Sequence, residues 1–174
     1  LKLITKNDKV MRVSVNMGKA ELIPANIPVL LDGESVINRN IKIAGGEYAV
    51  TCVSMGNPHC IVFRDDVDGL DLEKIGPMFE TDAIFPERVN TEFVRVIDER
   101  TIKMRVWERG SGETLACGTG ACAAAVASVL NGFCKKGEDI RVMLVGGELT
   151  VNYTDERVIM TGNAEKVFEG TVEY

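Results

Sequence analysis

Alternation between hydrophobic and polar residues is the dominant pattern along the chain. It is clearest at 11–17, 102–106 and 149–153, where every second residue is apolar. Such a period of two turns one side of an extended strand toward a core, so these segments are predicted to be half-buried strands. Further strand candidates are 36–43, 48–55, 60–64, 92–97, 140–145, 157–160 and 166–172. Gly45-Gly46 and Gly146-Gly147 separate pairs of such runs, as tight hairpin turns do.

Two segments are predicted to be helical. The first covers about 71–80, where Asp71 can cap the helix and Pro77 makes it irregular. The second covers about 118–131, and no charged residue occurs from 115 to 134. A helix that is apolar on every side must be buried on every side. The predicted fold is therefore α+β, a curved and mostly antiparallel sheet wrapped around one central buried helix.

Composition and charge favour a soluble globular protein over a nucleic-acid-binding or membrane-spanning one. A length of 174 residues with 45% hydrophobic residues suits one soluble domain, and a net charge of −6 argues against a nucleic-acid surface. No apolar run reaches the roughly 18–20 residues that span a membrane.

The chain begins without Met, in a strand-like run and without a signal-peptide pattern, which favours a fragment or a processed chain. Five cysteines cannot all pair, so reduced cysteines and a cytoplasmic location are expected.

The most informative stretch, 108–122, combines a strand end, a glycine-rich loop and the start of the uncharged helix. Cys117 is predicted to lie at this helix start, where free N–H groups and the helix dipole favour a thiolate. The N–H groups of Gly118 and Thr119 could hold a substrate carboxylate. A cysteine can equally be a small buried hydrophobe. That second interpretation is preferred for Cys52, Cys122 and Cys134.

Two further motifs carry candidate polar residues. Gly-Asn-Pro-His at 56–59 is a turn signal and contains the only histidine, so His59 could accept a proton near neutral pH. A lone histidine is nevertheless more often structural. Asn90 precedes a strand, where an Asx turn or cap is the alternative, and Glu108-Arg109 could be an exposed pair. One histidine among scattered cysteines lacks zinc-ligand spacing, so no metal site is predicted.

Together these motifs resemble the diaminopimelate epimerase family. The family patterns Gly-Asn-Pro-His, Arg-Val-Asn and Glu-Arg-Gly-x-Gly-Glu-Thr-x-x-Cys-Gly-x-Gly-Ala occur in the family's order at 56–59, 88–90 and 108–121. The resemblance covers essentially the whole chain and implies two similar domains with the active site between them, each supplying one cysteine. Only the second cysteine is present here. The resemblance thus implies a C-terminal domain at 1–162 and a tail at 163–174 that returns to a missing N-terminal domain.

The resemblance also implies a role for each candidate residue. Cys117 would be one of two acid–base cysteines, Glu108 would assist its proton exchange, and His59 would assist the missing cysteine. The carboxylate at the reacting carbon would lie against Gly118 and Thr119. Four residues would hold the distal end of the substrate: Asn57, Asn90, Glu108 and Arg109.

The implied activity is a cofactor-independent interconversion of LL- and meso-diaminopimelate in lysine and cell-wall precursor biosynthesis. A thiolate would remove the α-proton from one face while a thiol delivers a proton to the other. Helix N-termini, rather than pyridoxal phosphate, would stabilise the developing charge. The implied partners are this substrate, the missing N-terminal domain and a possible second copy in a homodimer. Because one cysteine is missing, the chain alone is expected to be inactive.

Three other functions remain open at the level of sequence. A proline racemase-like enzyme also has paired cysteines, although Asn57, Asn90 and Arg109 favour an open-chain substrate with a charged far end. A hydrolase or transferase could use Cys117 as a covalent nucleophile together with His59. The third is a non-catalytic binding or dimerisation module.

Overall fold

The computed structural model describes residues 1–43 and 45–173, most of which form a single sheet around one helix. Its strands are β1 (Lys2–Lys6), β2 (Lys9–Asn16), β3 (Arg39–Ile43), β4 (Gly46–Ser54), β5 (Pro58–Phe63), β6 (Asn90–Asp98), β7 (Thr101–Glu108), β8 (Gly112–Thr114), β9 (Asp139–Leu144), β10 (Gly147–Tyr153) and β11 (Val158–Asn163). Its helices are α1 (Leu72–Glu80) and α2 (Gly118–Leu130), with a short 3-10 turn at Pro24–Asn26.

The sheet is mostly antiparallel, as the alternating pattern predicts. Its strand order is β1-β2-β11-β10-β9-β7-β6-β5-β4-β3, and β8 pairs with β7 at the side of this path. Within the described ranges, the parallel pairings are β5 with β6 and β7 with β9. The hairpin β1–β2 joins the sheet through β11, with Ser14 opposite Thr161. Strands from near the two ends of the described chain, β2 and β11, are therefore neighbours in the sheet.

Helix α2 is buried by the sheet, which confirms the predicted α+β architecture. It packs against β4 to β7 and against β9 to β11. The side chains of 121–127 are completely buried, and most of them are alanines. Small side chains let strands approach the helix from several directions, and the absence of charge avoids an unpaired buried ion. The helix ends before Asn131, whose side chain donates to Thr51 Oγ1 at 2.9 Å.

Helix α1 covers the opposite face of the sheet and creates a second core. Asp71 caps α1 by accepting from the N–H of Lys74 at 3.3 Å, and the helix continues through Pro77. A Cβ atom at Gly76 would lie 2.3 Å from the ring of Trp107, so only glycine permits this close contact. The larger side chains of this core are Ile27, Phe79, Phe85, Phe93 and Trp107. The periodicity of the sequence did not predict this second layer.

The predicted strand at 166–172 was wrong. The backbone from 164 to 173 forms no strand, and Val167 and Phe168 are 90% and 82% exposed. Strand β11 is already paired on both sides, with β10 and β2, so the tail has no open edge beside it. Tyr174 lies outside the described residues, and the role of 163–174 toward another domain stays a prediction.

Neither α1 nor α2, the helices of the described ranges, is long and apolar enough to cross a membrane.

Candidate active site

Strand alternation brings the candidate polar side chains to the face that carries α2. His59 on β5 lies opposite Asn90 on the parallel strand β6. Glu92 follows Asn90 by two residues on the same face, and Glu108 follows the buried Val106 of β7 by two residues. Farther along these strands the same face is apolar and packs on α2. The polar groups therefore gather where the strands meet the N-terminus of α2.

Cys117 is the N-cap residue of α2, as predicted. Its backbone is extended, with φ −133° and ψ 112°, and its Sγ accepts from the N–H of Gly120 at 3.4 Å. The Oγ1 of Thr119 lies 3.6 Å from Sγ. As at any helix start, the N–H groups of the first turn, which include those of Gly118 and Thr119, have no partner within the helix. This arrangement places a thiol beside an anion-binding helix start.

The helix start favours the thiolate form of Cys117 through the N–H of Gly120, but burial outweighs this effect. Burial raises the pKa of the Cys117 thiol to about 11, and the negative charges of Glu92 and Glu108 add to the rise. The hydrogen bonds from Thr119 and Gly120 lower the pKa, but by less. Cys117 is consequently a protonated thiol at neutral pH. The sequence shows the helix start, but it does not show the burial or the two carboxylates brought in by other strands.

A chain of hydrogen bonds leads from Cys117 to a buried carboxylate. Thr119 Oγ1 lies 3.3 Å from Asn57 Nδ2, and Asn57 Oδ1 lies 3.0 Å from His59 Nε2. His59 Nδ1 lies 2.7 Å from Glu92 Oε1, and the side chains of His59 and Glu92 are completely buried. The second oxygen of Glu92 has no hydrogen-bond partner among the residues of the described ranges. The candidates Asn57, His59, Cys117 and Thr119 thus form one network.

Glu92 is a site residue that the sequence analysis missed. Asn57 Oδ1 can only accept a hydrogen bond, so Nε2 of His59 donates to it, and the contact between Nδ1 and Glu92 holds one proton between the two groups. Both ring nitrogens of His59 are occupied, and His59 lies inside β5 rather than in an open turn. The spacing Asn90-x-Glu92 was a usable signal, because a period of two puts both side chains on one face.

Asn90 and Arg109 join the ends of three strands. Asn90 donates to the carbonyl of Pro58 at 2.8 Å, and its Oδ1 accepts from the N–H of Arg109 at 2.9 Å. Arg109 Nη1 donates to the carbonyl of Glu87 at 2.8 Å. Asn90 is therefore neither a local turn nor a cap. It fixes the loop after β7 against the start of β6.

Glu108 lies at the end of β7, where the hydroxyl of Thr114 on β8 donates to its Oε1. Its side chain is half-buried, in contrast to Glu92. Glu108 and Cys117 are close enough for the carboxylate charge to act on the thiol. The contacts thus join Asn57, His59, Cys117 and Thr119 in one network and Asn90 with the backbone of Arg109 in another, and Glu108 acts on Cys117 through its charge.

Across 1–43 and 45–173, no group of three or more histidine, cysteine and acidic side chains is arranged to hold a metal ion. All five cysteines are free and buried.

Comparison with known proteins connects this site to named enzymes. The family model described as diaminopimelate epimerase matches residues 51–167. Curated diaminopimelate epimerases from Acetivibrio thermocellus and Methanococcus maripaludis are 52% and 50% identical over 175 residues, covering 99% of this chain and 62% of each relative. The Bacillus cereus enzyme is 49% identical over 168 residues, covering 95% of this chain and 58% of that relative. The chain thus spans about three-fifths of the length of these relatives.

Solved structures share the fold at low sequence identity. A hydroxyproline epimerase from Agrobacterium vitis has a TM-score of 0.62 at 16% identity, with 92% of this chain and 52% of that chain covered. A probable proline racemase from Agrobacterium radiobacter has a TM-score of 0.61 at 14% identity, with 92% and 53% covered. At these identities the likeness concerns the architecture of the chain and not its substrate.

Proposed function

The chain belongs to the diaminopimelate epimerase family, and from that membership we propose that it is the C-terminal half of an enzyme that interconverts LL- and meso-diaminopimelate. The proposed reaction needs no pyridoxal phosphate and belongs to lysine and cell-wall precursor biosynthesis in the cytoplasm. Relatives that carry this name at about 50% identity over nearly the whole chain support the substrate. The remaining two-fifths of their length would supply the other half of the site.

One observation carries the proposal: a buried thiol, Cys117, lies at the start of an uncharged helix. With its pKa raised to about 11, Cys117 is protonated and suited to deliver a proton. In one direction of the reaction, a thiolate from the other half removes the α-proton, and the electron pair stays on the α-carbon. Cys117 then gives its proton to the opposite face of that carbon and becomes the thiolate. The reverse direction exchanges these roles.

The developing negative charge spreads into the substrate carboxylate. The N–H groups of Gly118 and Thr119 at the helix start would hold this carboxylate, and the positive end of the helix dipole would stabilise it. Burial strengthens such an interaction because water no longer screens it. Glu108 would accept and return the proton of Cys117 during exchange with solvent.

The distal end of the substrate carries its own amine and carboxylate. Arg109 would bind the carboxylate through its guanidinium, Glu108 would bind the amine, and Asn57 and Asn90 would complete this subsite. His59 would assist the cysteine of the other half. Because Asn57 occupies His59 Nε2 in this chain, the approaching cysteine would have to share or displace that contact.

A covalent mechanism fits the geometry less well. A cysteine nucleophile activated by histidine requires a ring nitrogen within hydrogen-bond reach of the thiol. Both nitrogens of His59 are instead bonded to Glu92 and Asn57. The hydroxyl of Thr119, 3.6 Å from the thiol, cannot act as a base at neutral pH.

The test is α-proton exchange in heavy water. LL-diaminopimelate is incubated with the full-length protein, with this 174-residue chain alone, and with the chain plus its separately produced N-terminal half. We expect deuterium at the α-carbon and formation of the meso isomer only when both halves are present. Robust turnover by the chain alone would contradict the two-cysteine proposal, and no turnover by the full-length protein would contradict the substrate.

A further inference from the structure

A second buried carboxylate, Glu80, lies on the opposite face of the sheet from Cys117. It is the last residue of α1, and its side chain is only 9% exposed. Its Oε2 accepts from the indole N–H of Trp107 at 2.7 Å. Its Oε1 accepts from the backbone N–H of Gly110 at 3.0 Å and from Arg88 Nη1 at 3.3 Å. Both oxygens of Glu80 are therefore occupied.

These donors keep Glu80 ionised. Burial by itself would raise the pKa of Glu80, but the hydrogen bonds from Trp107, Gly110 and Arg88 outweigh it and lower the pKa below its ordinary value. Hydrogen bonds to an ionised acceptor are stronger than hydrogen bonds to a neutral one. Glu80 therefore holds its three donors, which come from different segments, more firmly than a neutral side chain would.

The backbone of Arg109 is fixed from both faces of the sheet. Its own N–H donates to Asn90 on the α2 face, and the next N–H, that of Gly110, donates to Glu80 on the α1 face. The two peptide groups that flank the Cα of Arg109 are thus held by two different layers. Gly110 has φ +78°, a conformation that needs glycine, so the loop turns sharply at this point.

Glu80 also reaches the segment that precedes Asn90. Arg88, which donates to Glu80, has φ +60° and lies two residues before Asn90. A non-glycine residue in this left-handed region is held there by its surroundings. One carboxylate therefore connects both segments that carry the distal subsite.

From these contacts we propose that Glu80 is a positioning residue that fixes Arg109 for binding of the distal carboxylate of the substrate. The proposal rests on the function proposed above for Arg109. It adds a residue that lies on the other side of the sheet and does not touch the substrate. A guanidinium binds a carboxylate through two parallel hydrogen bonds, so a small shift of its backbone weakens both.

The test compares two variants that differ in the acceptor offered to Gly110 and Arg88. Trp107→Phe is introduced first, because it removes the indole donor that a neutral residue at position 80 could not satisfy. In this background, Glu80→Gln retains a carbonyl acceptor for Gly110, whereas Glu80→Met has a similar length and offers none. Both double variants lack the charge and the Trp107 hydrogen bond, so a difference between them reports the acceptor at position 80.

In the full-length protein, we expect the Met variant to raise KM for diaminopimelate about tenfold over the Gln variant, with kcat changed by less than about threefold. Hydrogen exchange followed by mass spectrometry should show faster deuterium uptake in 108–112 for the Met variant. Trp107→Phe alone should lose stability but keep KM within about twofold.

Equal KM values and equal exchange in the two double variants would overturn the proposal, and so would a loss confined to kcat. Failure of the proposed function is a separate result, because an enzyme that does not turn over diaminopimelate still reports exchange at 108–112. Faster exchange in the Met variant would then support the positioning of Arg109, and equal exchange would refute it.

Discussion

The two faces of the sheet each bury one glutamate, and the two glutamates differ in how completely they are satisfied. On the α1 face, Glu80 accepts three hydrogen bonds and uses both oxygens. On the α2 face, Glu92 makes one hydrogen bond, with Nδ1 of His59, and its other oxygen is unpaired within the described part of the chain. A buried carboxylate whose oxygens are all hydrogen-bonded usually has a structural role. A buried carboxylate with an unpaired oxygen beside other ionisable groups is typical of a reactive site. The α2 face is therefore expected to carry the chemistry.

Removing the thiol on the α2 face should have the largest effect. Cys117→Ser in the full-length protein should lower kcat for epimerisation by about 10²–10⁴-fold, because a hydroxyl is a far weaker acid than a thiol and gives up its proton much less readily. Steady-state kinetics by chiral chromatography of diaminopimelate would measure this loss.

The matched control is Cys122→Ala on the same helix. Cys122 is completely buried, so its substitution should cost stability through packing but leave kcat within a few-fold. Equal losses of kcat in two folded variants would show that the start of α2 has no special role.

A second comparison exchanges the two carboxylates for amides. Glu92→Gln should lower kcat at least about tenfold, because an amide cannot exchange a proton with Nδ1 of His59 as a carboxylate can. Glu80→Gln should leave kcat within about threefold, because Glu80 lies on the other face of the sheet and does not contact the groups around Cys117. Since His59 is the only histidine of the chain, nitrogen-15 NMR of its ring would report the tautomer directly. An unchanged His59 spectrum in Glu92→Gln would contradict this role of Glu92.

The smallest expected effect concerns the reactivity of Cys117. Glu92 raises the pKa of Cys117, so Glu92→Gln should lower that pKa and increase the thiolate fraction at pH 8. Alkylation by iodoacetamide should then be about two- to threefold faster, since the lower-pKa thiolate is also a slightly weaker nucleophile.

Glu80→Gln, on the far face, should leave the alkylation rate unchanged. Peptide mapping by mass spectrometry would separate Cys117 from the other cysteines. If the far-face substitution had the same effect as Glu92→Gln, the distinction between the two faces would lose its basis.

Features of the fold and of the candidate site that depend on residues close together in sequence could be predicted from the sequence. The uncharged run around α2 predicted a buried helix, and the glycine-rich segment at Cys117 predicted where this helix begins. The Gly146-Gly147 pair correctly marked the turn between β9 and β10. In each case the signal lies within a few residues of the structure that it predicts.

The parts that depend on distant neighbours could not be predicted. A glutamate within a strand is usually a solvated residue, and only the parallel pairing of β5 with β6 brings Glu92 to His59, 33 residues away. Glu80 similarly meets Trp107 only after α1 has packed on the sheet. The apolar tail at 166–172 had the composition of a strand, but pairing depends on an open edge nearby.

The pairing of β2 with β11 has a consequence for the order in which the protein can assemble during synthesis. Ser14 and Thr161, which are hydrogen-bonded across these strands, are 147 residues apart. At about 5–20 residues per second, β2 leaves the ribosome roughly 7–30 seconds before its partner. Local hairpins such as β9–β10 can close early, whereas the sheet around α2 is completed only by this most distant contact. During that interval β2 presents an unpaired edge, which makes the nascent chain most susceptible to aggregation just before folding ends.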